Sequence, residues 1–235
     1  MSDHDRAGLA ADPKETPMTL VLRRLFLVGT PLALAVVLWF HPPGGEQVYA
    51  GVRDDVSAWL FVHAGFLFLT PLLAIAAYLL LSGLQSRAAA VSRVALVFFL
   101  VFYTAYEVTV GVGTAVLVDY ANGLPAAEQA AVAGAIQDYN RNAILSDPSV
   151  SMVLGGCGWL VAMLAAAVAF RRAGAGWSVT LLVGFASLLA VHPPPVGPAA
   201  LVCFAAAAVL IERAKARDAQ ALALRPAPAA AATAI

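Results

Sequence analysis

The sequence predicts an all-α integral membrane protein: a six-helix transmembrane bundle, both termini in the cytoplasm, with an amphipathic helix in its long outer loop. Three observations lead there. Six apolar runs, at residues 20–40, 58–81, 94–118, 151–170, 177–191 and 199–211, are separated by short polar or proline-rich breaks. Hydrophobic residues make up 61% of the chain and charged residues 12%, too little polar surface to cover a soluble globule of this length. The basic residues are also sorted by side. With the amino terminus inside, Arg6, Lys14, Arg23, Arg24, Arg87, Arg93, Arg171, Arg172, Arg213, Lys215, Arg217 and Arg225 are cytoplasmic, and only Arg53 and Arg141 lie outside. This is the positive-inside pattern, and it predicts a cell inner (plasma) membrane protein with membrane lipids as its first partners.

Residues 1–19 mix acids and bases without hydrophobic periodicity and read as a disordered tail. The membrane domain is expected over 20–217 and a second disordered tail over 218–235. The first run opens on Arg23-Arg24 and closes on His41-Pro42-Pro43, long enough to cross a hydrocarbon core of about 30 Å. Val48-Tyr49-Ala50 would serve as a cleavage site, but the run is long for a signal peptide and the tail before it carries acids, so an uncleaved span is expected. Residues 46–57 suit a short surface helix leading into Trp59. The second run carries His63 near its start and Thr70-Pro71 near its middle, where proline removes a backbone hydrogen bond and invites a kink.

Residues 82–93 read as a linker. The third run, 94–118, carries Glu107, the one charge deep inside any apolar run. After it, Pro125 followed by 126–145 predicts a helix, with Val132, Ile136, Tyr139 and Ala143 on one face, lying over the mouth of the bundle. Asp147-Pro148 signals the start of the fourth helix. That run contains Gly155-Gly156-Cys157-Gly158, small residues that let helices approach closely. The fifth and sixth runs are short for a bilayer, about 20 Å each at 1.5 Å per residue. His192-Pro193-Pro194-Pro195 turns the chain between them.

Glu107 is the anchor of the functional reading. A carboxylate at mid-bilayer depth costs ~2.5–3.5 kcal/mol on insertion scales, so it is expected to face the bundle interior and to mark a site. Counting residues from the outer ends of the runs places Thr70 and Thr180 at its depth as hydrogen-bond partners. Tyr103, Gly111 and Thr114 form a polar and small-residue stripe on its own helix, expected to line an outward-facing cavity between the second, third and fifth helices, with Tyr106 a further ligand-binding candidate. A second layer, nearer the outside, holds His41, His63, His192, Asp119, Cys157 and Cys203. Imidazole, thiolate and carboxylate are ligand chemistry, and His41, His63 and His192 are the candidates for a metal, though no metal or other cofactor is expected. A Cys157–Cys203 disulfide is not expected either.

A net charge of zero gives no basic field for nucleic acid. No P-loop, HExxH, nucleophile elbow, CxxC motif or rhomboid-like Ser and His pairing is present. The function expected is small-molecule or proton-linked binding or transport, with Glu107 taking and giving a proton and a small lipophilic compound as a possible ligand. The alternatives are an intramembrane enzyme on a lipophilic substrate, with Glu107 as general acid assisted by His63 or Tyr103, and a structural subunit of a membrane complex.

Overall fold

The computed structural model describes residues 17–43, 46–141, 144 and 149–223. Every regular element among them is helical. In chain order these are α1 (Pro17–Trp39), α2 (Val48–Val52), α3 (Val56–Leu80), α4 (Arg87–Asn122), α5 (Ala126–Tyr139), α6 (Val150–Arg172), α7 (Trp177–Ala190) and α8 (Val196–Ala223). Five of them, α1, α3, α4, α6 and α8, are long and apolar enough to cross a bilayer, and α7 is a shorter apolar helix. This is the architecture of a helical multi-pass membrane protein.

Six helices pack in a closed ring, α1 on α3, α3 on α4, α4 on α6, α6 on α7, α7 on α8 and α8 back on α1. Leu34, Phe66, Leu73, Phe99, Trp159 and Phe204 fill the ring's core. The outward faces stay apolar, with Val36, Phe68, Ile75, Val101, Leu164 and Phe185 exposed, as lipid-facing helices require. The glycine expectation for the fourth run holds. A Cβ on Gly155 would stand 2.7 Å from the Tyr103 backbone nitrogen, and one on Gly158 would stand 2.7 Å from that of Phe99. Both glycines let the α6 backbone lie against α4.

Several boundaries differ from those read in the sequence. The 82–93 segment is mostly helix, because Ser86 caps α4 by accepting from the Ala89 N–H at 3.2 Å. Arg93 then bonds the Leu81 and Leu84 carbonyls at the turn out of α3, where Gly83 takes a positive φ of 85°. The last helix runs from Val196 to Ala223, so it extends past both ends of the sixth run, 199–211. Its polar end is held by packing: Arg23 of α1 reaches Glu212 at 3.3 Å and Ser82 at 3.1 Å, with Lys215 3.7 Å from the same carboxylate. The helix expected at 126–145 stops at Tyr139. Asp147 and Pro148 lie outside the described residues, and the α6 cap is Ser149, whose hydroxyl accepts from the Met152 N–H.

The largest departure is α4 itself. It spans 36 residues, about 54 Å at 1.5 Å per residue, far more than a bilayer core needs. Its carboxyl-terminal end projects beyond the ring, where α2 and α5 pack on it. Tyr49, Val52, Trp59, Ala115, Val118, Ala121 and Ile136 form a second small core there. Two stretches of α4, Phe99–Tyr103 and Glu107–Gly113, are wound as π-helix, a local widening that recurs at functional sites.

Candidate functional site

Glu107 opens the second π-helical stretch and is wholly buried, and its partner is neither Thr70 nor Thr180. His63 of α3 places Nδ1 2.7 Å from a Glu107 carboxylate oxygen, with both side chains buried. At that distance one proton lies between two basic atoms, on nitrogen or on oxygen. Gly111, one turn beyond Glu107, makes the approach possible. A Cβ there would fall 2.5 Å from the His63 ring, so only glycine leaves room for the imidazole. The π-helical backbone also leaves carbonyls for side chains to take up: the Trp59 indole N–H donates to Gly111 O at 3.0 Å and the Tyr139 hydroxyl to Thr109 O at 2.9 Å.

His41 and His192 join this pair. The His41 ring lies 5.3 Å from that of His63, 5.2 Å from that of His192 and 5.6 Å from Trp59, centroid to centroid. His41 Nδ1 stands 2.7 Å from the Pro42 carbonyl. A carbonyl oxygen only accepts, so Nδ1 carries the hydrogen and Nε2 of the neutral ring is a lone pair. Burial, and then the neighbouring His63, hold the His41 pKa below the ordinary imidazole value. Burial, with His41 and His63 beside it, pushes His192 down to about 3.

The cluster corrects the depth read from the sequence. His41 follows the carboxyl end of α1, so the chain of contacts from Glu107 through His63 to His41 puts the carboxylate level with the end of α1 rather than at mid-bundle. Glu107 of the deeper predicted layer and His41, His63 and His192 of the outer one therefore lie together. Residue counting failed because α4 overshoots the ring, and the end of an apolar run is then no marker of the membrane surface.

The remaining candidates divide. Tyr103 and Tyr106 are buried beside the cluster, with Tyr103 stacked against Phe66, Phe99, Tyr106 and His192. Thr114 is buried at the cap, donating to Asn140 Oδ1 at 3.1 Å. Thr70 is buried on the His63 face of α3, two turns on, with its hydroxyl unpartnered. Thr180 is excluded, since its hydroxyl bonds its own Gly176 carbonyl in a groove with Arg171 and Trp177. Asp119 is exposed on the projecting end of α4. Cys157 and Cys203 are free thiols. Among the described residues no three His, Cys, Asp or Glu side chains are placed to hold a metal ion.

A cavity of about 480 Å³ adjoins the cluster, lined by His41, Trp59, His63, Tyr106, His192 and, from the α5 end, Gln137, Asn140 and Arg141. That is within the usual size of a small-molecule site. It is roofed by α5 as expected, but its walls are α3, α4 and the two histidine-bearing turns, not α3, α4 and α7. Nε2 of the lining residues His41 and His63, and Oε1 of Glu107 behind His63, are buried without a hydrogen-bond partner, a costly state unless a ligand or water meets them. Trp59 and Asn140 are the site residues that the sequence reading missed. Neither interrupts an apolar run, so only their contacts reveal them. No known protein family, curated protein or solved structure matches the chain.

Proposed function

We propose that the chain crosses the plasma membrane six times, with both termini cytoplasmic, and that its capped outer cavity binds a small molecule with which the Glu107–His63 pair exchanges a proton. The observation that carries this reading is the 2.7 Å Glu107–His63 contact beside a cavity lined by His41 and His63, whose Nε2 atoms have no protein partner. Six crossings are supported by the closure of the ring. Arg23 near the start of α1 meets Glu212 near the end of α8, while His41 and His192, after α1 and α7, meet at the opposite end. That pairing supports an even number of passes.

The ring core between the site and the Arg23–Glu212 end is filled by Phe66, Leu73, Phe99 and Trp159. Binding with proton exchange at one face is therefore favoured over passage through the bundle in this conformation. The same pair would serve an enzyme on a lipophilic substrate, with Glu107 as general acid. A side cleft that reaches the site from the lipid face supports that second reading.

The test starts from compounds released from purified protein and identified by mass spectrometry. Added back in weakly buffered detergent solution, such a compound is expected to move a proton on binding. Glu107→Gln keeps the shape but cannot titrate. It is expected to abolish the proton signal while leaving stability within ~1 kcal/mol of wild type. Proton movement that survives the substitution would end this reading. Stoichiometric protein partners in place of a small molecule would point to a structural subunit.

A further inference from the structure

The polar cavity shares Tyr106, His192 and Pro193 with a second cavity of about 440 Å³, which lies between α4, α6 and the end of α7. Met152, Val153, Gly156, Cys157 and Leu160 of α6 form one side of this cleft, and Val191 lies at its edge. Val153 and Val191 are 49% and 57% exposed and Cys157 is exposed as well. The cleft thus opens sideways, on a flank of the ring that faces lipid. An apolar compartment entered from the membrane lies directly beside a polar compartment roofed by α5, and Tyr106, His192 and Pro193 line the junction of the two.

The polar compartment also specifies the kind of head group it accepts. His41 gives its Nδ1–H to the Pro42 carbonyl, and His63 turns its Nδ1 to Glu107. His41 Nε2 is then an acceptor, and so is His63 Nε2 when its Nδ1 carries the hydrogen toward an ionised Glu107; both are buried without a donor. A hydroxyl or an ammonium group supplies that donor. A carboxylate or phosphate would set lone pair against lone pair beside a buried acid.

From this we infer, building on the proposed proton-exchanging site, that the ligand is a single-chain amphiphile. Its hydroxyl or amino head lies against His41 and His63, and its alkyl chain lies in the cleft between α4 and α6. The lipid bilayer supplies it laterally, past Val153 and Val191.

The experiment uses the full chain in detergent, with a long-chain alcohol, the amine, the carboxylic acid and the methyl ether of the same chain length, each carrying a photoactivatable group in the chain. The alcohol and the amine are expected to label the α6 segment around 152–160 and to slow alkylation of Cys157 in a Cys203→Ala background. The acid and the donorless ether should do both about tenfold more weakly, the factor that one hydrogen bond supplies. A Cβ at Gly156 meets nothing within 4 Å, so Gly156→Leu fills the cleft without moving the backbone. It is expected to cut labelling and Cys157 protection at least tenfold at an unchanged melting temperature.

Equal labelling by all four probes, or labelling unaffected by Gly156→Leu, overturns the inference. The proton-exchange reading would survive that result, because it is tested at Glu107 with a released compound. Conversely, chain labelling that persists in a protein showing no Glu107-dependent proton signal would support the amphiphile site and remove the proton-exchange reading.

Discussion

At the scale of single residues, the site depends on one missing methyl group. With a Cβ at Gly111 placed 2.5 Å from the His63 ring, and that ring wedged between Trp59 and His41, Gly111→Ala must push the imidazole off Glu107. The expected cost is ~1–3 kcal/mol of overpacking, together with loss of the proton signal. Gly113→Ala is the milder comparison, since its Cβ would meet the Tyr139 hydroxyl at 2.8 Å, the end of a side chain able to swing away, and backbone only at 3.3 Å, the Val108 carbonyl. A melting temperature for Gly111→Ala as high as that for Gly113→Ala would show that His63 is not held as described.

The turn histidines make a separate prediction about acid. His41 and His192 are both held below the ordinary value of 6.5, His192 at about 3, by burial and by the neighbouring imidazoles. Between those values the unfolded chain binds a proton that the folded chain refuses, so stability rises with pH across the interval. Stability is full above about 6.5 and is lost as the pH falls toward 3. Thermal melts in detergent at stepped pH should show this, and His192→Gln should flatten the slope. An unchanged slope in that variant would remove His192 as the cause.

At the scale of helices, α4 and α6 are held by glycines that differ sharply in what they face. Gly155 and Gly158 meet α4 backbone, which cannot yield, while Gly156 meets open cleft. Gly155→Leu is expected to destabilise the protein by at least ~3 kcal/mol, or to prevent its accumulation, because the helices must separate. Gly156→Leu should accumulate and melt as wild type. The small-residue run in the sequence predicted close approach but not which glycine makes it, since that depends on how α6 is rotated about its axis. The same limit explains Thr180: its depth was counted from a run end, while its direction is set by packing against α6 and α8.

At the scale of the whole molecule, the ring places Ala216 of α8, exposed near the Arg23–Glu212 cluster, and Ala130 of α5, exposed above the cavity, at opposite ends. With Cys157 and Cys203 changed to Ala, a cysteine at Ala130 should react with an impermeant thiol reagent in intact cells. One at Ala216 should react only after the membrane is opened. Labelling of both in intact cells would mean that α7, the shortest apolar helix of the ring, does not cross.

By itself the sequence determined that the chain is helical, is apolar enough to lie in a membrane, and carries one acid deep inside an apolar run with three histidines near run ends. Those properties are additive over residues: hydropathy, charge and the cost of burying a carboxylate need no partner to be read. What only the tertiary structure decided is that Glu107 meets His63, that His41 and His192 join them, and that a roofed polar cavity adjoins an apolar cleft between α4 and α6. Each of these depends on how far α4 extends past its neighbours and on the π-helical turns that rotate its faces. Those quantities are set by contacts between residues as far apart as His41 and His192, or Tyr103 and Gly155, so no local pattern in the chain encodes them.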